Sequence, residues 1–474
     1  MIVEGKYNTA DVKVEEIEGE AMEQIQEMVN HEAFVGDDDI TIMPDAHWGA
    51  GAVIGFTKPL GNRIVPGTVG VDIGCGMLAA NFRRTRLGNV EELDQRIREE
   101  VPMGFDVHGD AVYHMHNDFP YSLCQHKLER FNESKHNDFH VETDYGPDYY
   151  DELLDRVGYD PSRAAQSVGT LGGGNHFIEL GKGEKSGDLW CIIHSGSRGL
   201  GLSIAEYWMD RATELRNFDT MNHWLDDIVE EGYDDYVKFN PYSTPNHEIL
   251  DWIHGSMGED FVNYEALKAD YRETEPERIG EIREELKTIV HQLQSTNRNE
   301  DLDYLEGEET HGYIRDMIFA QTYAEENRRI MAEGVATALG ESFDYINDAV
   351  SSVHNYIDFD DSTIRKGACR AHQDKFVIIP FNIEYGTLIC RGKGDPSWNN
   401  SAPHGAGRAM GRRDAERRFD EDDFDKQTEG VYTSKAPIDE IPGAYKDPGL
   451  IEEAIGPTVE IVDRVDPILN LKAD

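Results

Sequence analysis

Asp72 and Cys75 stand three residues apart in the stretch Val69-Gly-Val-Asp-Ile-Gly-Cys-Gly-Met77. A carboxylate and a thiol are both metal-ligand types, and Gly70, Gly74 and Gly76 let the backbone turn tightly enough to aim them at one point. Taken alone, the stretch reads equally well as a buried cysteine in a glycine-rich turn. Three histidines further along tip the balance. His176 closes Gly169-Thr-Leu-Gly-Gly-Gly-Asn-His176, His194 follows the apolar run Leu189 to Ile193, and His354 follows Val353. Each imidazole is thus delivered by an apolar run or a glycine turn. A tetrahedral ion needs four ligands, so five ligand-type side chains with a thiolate able to bridge suit two divalent ions better. Ligand softness alone points to zinc or cobalt before manganese.

A fourth histidine has different company. His404 lies in Ser401-Ala-Pro-His-Gly-Ala-Gly-Arg408, where the glycines let a bulky phosphate reach the ring, and Arg408, Arg412 and Arg413 supply forked donors for phosphate oxygens. Gly172 to Gly174 form a run of backbone N–H groups suited to an anion, and no Gly-Lys-Ser/Thr follows that would make it a Walker loop. The ensemble reads as metal-assisted phosphoryl or nucleotidyl transfer, in which a histidine can serve as the covalent nucleophile.

These side chains need short strands ending in glycine-rich loops. Ile40 to Pro44 is a strand whose end carries Asp45 and His47, and Ala52 to Phe56, Leu189 to Ile193, Phe376 to Pro380 and Thr387 to Cys390 read the same way. Helical spacing marks parts of residues 1–35, 90–102, 125–132, 282–293, 313–339 and about 406–419. The acidic, Tyr-rich stretch between about 130 and 165 reads as loops. The fold class is therefore α+β: a β-rich core in two halves, 1–202 and 346–474, with a mostly helical insertion over 203–345.

Composition bounds the rest. The chain has 474 residues and a formal net charge of −48, from 93 acidic and 45 basic residues spread along its whole length. Such a surface is expected of a halophilic protein, because molar salt shortens the Debye length to about 3 Å and screens the self-repulsion. It argues against an unspecific nucleic-acid binder, which needs a basic footprint. Five cysteines without paired spacing, and a start without a basic or apolar leader, lead to the expectation of a reduced, cytoplasmic protein with no membrane partner.

The segments Met43-Pro-Asp-Ala-His47, Val69 to Met77, Gly-Gly-Gly-Asn175-His-Phe177, His194-Ser-Gly-Ser-Arg198, His354-Asn-Tyr356, Arg365-Lys-Gly-Ala368 and Ser401 to Arg408 resemble, in order, the signature set of the RtcB family of RNA ligases. The resemblance implies a β-rich core around a deep metal-lined cleft. It also implies a GTP-dependent enzyme that joins 2′,3′-cyclic phosphate or 3′-phosphate RNA ends to 5′-hydroxyl ends with two manganese ions. In that scheme His404 carries GMP, which passes to the RNA 3′-phosphate before the 5′-hydroxyl displaces it. One metal would take Asp72, Cys75 and His176, the other Cys75, His194 and His354. The guanylate would meet Asn175, Glu179, Asn382, Tyr445, Gly405, Ala406, Gly407 and Lys472. Arg198, Lys366, Arg408 and Arg412 match positions suited to RNA phosphates, and Asp45 matches a carboxylate near the metals. The implied partners are GTP, RNA in the form of tRNA halves or broken ends, and archease as an activator of an enzyme expected to be monomeric.

Two departures stand out. Many relatives have Pro-Gly-Ser-Met-Gly where this chain reads Pro380-Phe-Asn-Ile-Glu-Tyr-Gly386, which leaves Asn382 as the nearest polar substitute, and the acidic stretches near 135–150 and 420–427 have no counterpart. A dinuclear metal phosphatase or cyclic phosphodiesterase would use the same ligands but leaves His404 and its glycine loop unexplained. A non-catalytic binder of RNA ends would not need the full ligand set.

Overall fold

The computed structural model describes residues 1–36, 40–240, 243–244, 249, 262–294, 299–344, 349–435 and 437–473, without the side chains of 220 and 290–294. Its strands, in chain order, are β1 (Ile2–Glu4), β2 (Thr9–Val12), β3 (Ile40–His47), β4 (Ile54–Pro59), β5 (Gly76–Asn81), β6 (Phe177–Gly183), β7 (Leu189–Ser195) and β8 (Ala349–Val353). They continue with β9 (Asn355–Asp358), β10 (Thr363–Lys366), β11 (Ala368–Arg370), β12 (Phe376–Pro380), β13 (Thr387–Gly392), β14 (Ser401–Pro403) and β15 (Val459–Leu471). A six-stranded sheet has the order β1-β2-β3-β4-β10-β9, a seven-stranded sheet β12-β13-β15-β6-β7-β5-β8, and β11 pairs with β14 alone. With its helices, this makes the chain α+β, as the sequence implies.

The seven-stranded sheet is buried on both faces, which is why its strands read as near-continuous apolar runs rather than alternations. One face, with Leu78, Ala80, Ile178, Leu180, Cys191 and Ile193, packs on Met331, Ala332, Val335 and Ala336 of the helix Glu308–Leu339. The other face gathers Met77, Ala79 and Ile192 against Ile378, Ile389 and Val465. Fully burying one such aliphatic side chain stabilises the fold by about 1.5–3 kcal/mol, so the strands that carry the candidate ligands are held by the best-packed part of the molecule.

Two compact units divide the chain, Met1–Met209 with Leu305–Asp474, and Asp210–Tyr304. The sequence reading set the insertion at 203–345; residue 345 itself lies outside the described residues. The division falls earlier because Glu308–Leu339, read as part of the insertion, buries its apolar positions against the sheet of the first unit. The second unit has a core of its own around Met221, Trp224, Ile228, Leu267 and Leu286.

Other differences have local causes. The stretch read as loops contains the helices Pro147–Val157 and Pro161–Ser167, the second capped by Asp160, whose carboxylate accepts from the Arg163 N–H. The helix expected over 406–419 shrinks to Arg412–Arg418, because Gly407 adopts φ +71° and Gly411 forms the N-cap. The last strand runs from Val459 on to Leu471. Its far end carries Asn470 and Lys472 to the candidate site.

Candidate functional site

Register explains how distant residues meet. On β5, Gly76 faces Ser195 of β7 and Val353 of β8, Met77 faces His194, and His194 in turn faces Phe177 of β6. The start of β5, the start of β6, the end of β7 and the end of β8 therefore share one margin of the sheet. Cys75, His176, His194 and His354 sit at those four ends.

Their donor atoms converge. Sγ of Cys75 lies 3.2 Å from Nε2 of His194 and 3.5 Å from Nε2 of His176. Nε2 of His194 is 3.2 Å from Nε2 of His354, and Nε2 of His176 is 2.9 Å from Oδ2 of Asp72. Cys75, His176 and His194 alone form a buried set that could hold an ion. With metal–ligand distances of about 2.0–2.3 Å, donors on one ion lie roughly 3–4 Å apart, so the spacing fits.

The outer ring nitrogens fix the tautomers. Nδ1 of His176 donates to the carbonyl of Leu171 at 3.0 Å, and Nδ1 of His194 donates to that of Asn175 at 3.1 Å. In its neutral form each ring would point an Nε2 lone pair inward, toward a carboxylate or another imidazole. Where Nε2 of His176 faces the Asp72 carboxylate at 2.9 Å, two acceptors call for a proton or a cation between them. Burial drives the pKa values of His194 and His354 well down and that of the Cys75 thiol well up, with neighbouring imidazoles adding to the first effect and Asp72 to the second. Burial would also raise Asp72, but His176 outweighs it and brings the carboxyl to about 2. The donor set fits a cation.

The loops are held from beneath by Asn327 and Arg328, both fully buried on the Glu308–Leu339 helix. Oδ1 of Asn327 accepts from the N–H groups of Gly169 and Thr170, and its Nδ2 donates to the Gly196 carbonyl at 3.0 Å and the Ser195 hydroxyl at 3.1 Å. Nη1 of Arg328 donates to the carbonyls of Gly74 and Ser195, both at 2.7 Å. Neither residue is among those expected from the sequence; an Asn-Arg pair among apolar helical positions is the signal that was available. At Gly172, a Cβ would come 2.2 Å from Nη1 of Arg198 and 2.7 Å from Nδ1 of His176, so only glycine fits.

His404 follows β14, which is tied to β11 by the pairing of Ala368 with Pro403. Its ring centroid lies 5.0 Å from that of His354. Nδ1 donates to Oδ2 of Asp45 at 2.8 Å, and Nε2 has no hydrogen-bond partner among the described residues. Gly407, with φ +71°, lies directly over Asp45, where a Cβ would meet the Asp45 carbonyl oxygen at 2.4 Å. His47, which the sequence places with Asp45 at the strand end, is stacked on His404 at 6.5 Å and donates Nδ1–H to the Asp45 carbonyl. Burial is the main reason its pKa falls to about 4, which keeps the ring a neutral acceptor.

His194 and His404 border a cavity of about 630 Å³, large enough for a nucleotide. Asn175, Glu179, Asn382, Tyr445, Lys472 and the loop Gly405, Ala406, Gly407 line it as well. On one wall β15 pairs Asn470 with Glu179. There the Glu179 carboxylate accepts from Thr387 Oγ1 at 3.0 Å and Asn470 Nδ2 at 3.2 Å, and burial raises its pKa to about 7. Beside it, Glu440 binds Lys472 at 3.0 Å, Arg412 at 2.7 Å, Arg408 at 3.2 Å and the Tyr445 hydroxyl. Burial would raise Glu440, but these partners, Lys472 first, bring it down to about 2.

Several expected phosphate contacts are placed otherwise. Asp45, expected near the metals and the RNA phosphate, is fully buried behind His404, and its carboxylate accepts from the ring. Lys366 is buried too, its ammonium donating to the carbonyls of Ala50 and Gly67. Arg198 points inward, donating to Thr170 Oγ1 at 3.0 Å and the Gly104 carbonyl at 2.9 Å. Arg408 and Arg412 do line the cavity, paired with Glu440 and, for Arg412, Asp439. Asn382 lines it while its Oδ1 accepts from the N–H groups of Glu384 and Tyr385.

A family model described as tRNA-splicing ligase RtcB matches residues 24–234 and 279–473. The RNA-splicing ligase RtcB of Escherichia coli (strain K12) is 28% identical over 463 residues, covering 91% of this chain and 90% of its own. The tRNA-splicing ligase RtcB of Aeropyrum pernix is 27% identical over 454 residues, covering 86% and 82%. The unmatched stretch between the two parts of the family match, 235–278, falls within the second unit.

Proposed function

The chain belongs to the RtcB family of RNA ligases, and from that premise we propose that it joins RNA ends bearing a 3′-phosphate or 2′,3′-cyclic phosphate to 5′-hydroxyl ends at the expense of GTP. The observation that carries this reading is the Asp45–His404 pair at the edge of a nucleotide-sized cavity, beside the cluster of ligand atoms. A phosphatase could use an imidazole so held as a general acid, but it would leave the nucleotide-sized cavity beside it unexplained.

In the proposed reaction, Nε2 of His404 attacks the α-phosphorus of GTP, a P–N bond forms and pyrophosphate leaves. Asp45 keeps the ring proton on Nδ1 and balances the charge that the ring gains. An oxygen of the RNA 3′-phosphate then attacks the same phosphorus, breaking the P–N bond and giving RNA 3′-pp-G. The 5′-hydroxyl attacks the RNA phosphorus, its proton is lost and GMP leaves. A cyclic phosphate is first opened by water to the 3′-phosphate. Asp72, Cys75 and His176 would hold one manganese ion and Cys75, His194 and His354 a second, supplying charge neutralisation for the phosphate oxygens. Glu179, once ionised, can accept from the N1–H and amino group of guanine, with Lys472 and Tyr445 on the same wall and Asn175 toward the phosphates. The −48 charge fits a protein of a salt-rich cytoplasm, and archease is the activating partner to be sought.

The test is joining of a 3′-phosphate RNA to a 5′-hydroxyl RNA in the presence of GTP and manganese. Product is expected with the wild type and none with His404→Ala. Joining by His404→Ala at the wild-type rate would contradict the reading, and release of inorganic phosphate without joining would favour a phosphatase.

A further inference from the structure

One aromatic side chain on the rim of the cavity has no part in the chemistry above. Trp48 lines the cavity next to His47 and is 52% exposed, with no hydrogen bond or ring contact to any described residue. Its backbone is nonetheless clamped. Gln24, on the helix Gly19–Asn30, donates Nε2–H to the Gly49 carbonyl at 2.7 Å and accepts the Gly49 N–H at 3.2 Å. On the other side, His47 is tied to the Asp45 carbonyl at 2.9 Å. An exposed indole thus stands on a fixed stretch of chain, one residue from a ring stacked on His404.

Charge narrows what could cover it. Glu18 and Glu20 line the cavity along with Trp48. Of the four Lys and Arg residues that line it, Arg408, Arg412 and Lys472 are paired with Glu440. With Glu18 and Glu20 on the lining and Arg413 as the one lining cation without an ion pair to a described residue, the exposed Trp48 face suits a flat, uncharged ring better than a phosphate. In a chain of net charge −48, counterion release contributes little to RNA affinity, whereas stacking on an aromatic face survives salt and tolerates any base.

We propose that Trp48 is a stacking platform for an unpaired nucleobase at the RNA end being joined. The inference rests on the ligase reading and adds a base-binding subsite to it. Wild type, Trp48→Phe and Trp48→Ala are compared in joining reactions with three RNA pairs: fully based, abasic at the last nucleotide of the 3′-phosphate strand, and abasic at the first nucleotide of the 5′-hydroxyl strand. Trp48→Ala is expected to raise the KM for RNA by about 10- to 100-fold with a smaller change in kcat, and Trp48→Phe by about threefold or less. One of the abasic strands should raise the wild-type KM by a similar factor and add nothing in Trp48→Ala; which strand it is identifies the source of the base. The effect should be equal at about 0.2 M and about 2 M KCl.

Indifference of the wild type to both abasic strands would overturn the proposal, as would a rise in the KM for GTP in place of RNA. The wild-type comparison decides even if Trp48→Ala fails to fold. Tryptophan fluorescence separates this proposal from the reading beneath it. Quenching by a based but not an abasic RNA, absent in Trp48→Phe, supports the subsite even if no ends are joined; joining without such quenching retains the ligase and removes the subsite.

Discussion

Oδ2 of Asp45 lies 2.8 Å from Nδ1 of His404, and the carboxylate is fully buried while the ring it holds borders the cavity. Its other oxygen, Oδ1, has no partner among the described residues. The contact holds one ring nitrogen protonated and leaves the other without a hydrogen-bond partner among the described residues, as the proposed nucleophile requires. Asp45→Asn keeps the shape and loses the charge, so guanylylation by GTP is expected to slow by about 10²- to 10⁴-fold with little change in melting temperature. A rapid-quench time course checks this; a rate within about threefold of wild type would remove Asp45 from the reaction.

Cys75 touches both neighbouring imidazoles at the ligand cluster. Because an ion that binds only the folded chain stabilises it by mass action, a chelator should lower the melting temperature of the wild type. Cys75→Ala should melt at the same temperature with or without chelator and should hold no stoichiometric metal by elemental analysis. Two ions per chain in the variant would exclude the bridging role.

Asn327 satisfies backbone groups of two ligand-bearing loops at once. Asn327→Leu leaves those groups buried without partners, at about 1–3 kcal/mol each, so a total loss of about 3 kcal/mol or more is expected in urea unfolding of the metal-free protein. A loss below about 1 kcal/mol would mean the loops stand without it.

Glu179 and Glu440 titrate in opposite directions on one wall. The folded protein binds the Glu179 proton more tightly than the unfolded chain does, with a pKa near 7 against the usual 4.5. Its contribution therefore falls as pH rises from about 4.5 to about 7, by roughly 3 kcal/mol at most. Glu440, brought down to about 2, contributes above the unfolded pKa and loses that contribution as pH falls from about 4.5 toward 2. Subtracting the stability–pH curve of Glu179→Gln from wild type should isolate the first slope, and that of Glu440→Gln the second. A flat difference curve in either window would show that the burial or the pairing is not maintained in solution.

The strand–histidine pattern was legible because each candidate ligand sits beside a buried apolar run or in a glycine turn, and both signals are local. What could not be read is what lies across the chain from a residue. Asp45 looks like an exposed loop acid until the Gly407 loop covers it, and Lys366 like a surface cation until the carbonyls of Ala50 and Gly67 close on its ammonium. Arg408 and Arg412 meet their acids at Asp439 and Glu440, some thirty residues on. The helix expected from Ala406 failed on a single backbone angle at Gly407, which spacing of apolar residues does not encode.

The central claim is that His404 becomes covalently guanylylated. Intact-mass spectrometry of the wild type after incubation with GTP and manganese, followed by peptide mapping under non-acidic conditions, tests it most directly. One guanylate per chain on His404, removed by adding 3′-phosphate RNA, is the result expected. RNA joining with no adduct, or with the adduct on another residue, would contradict it.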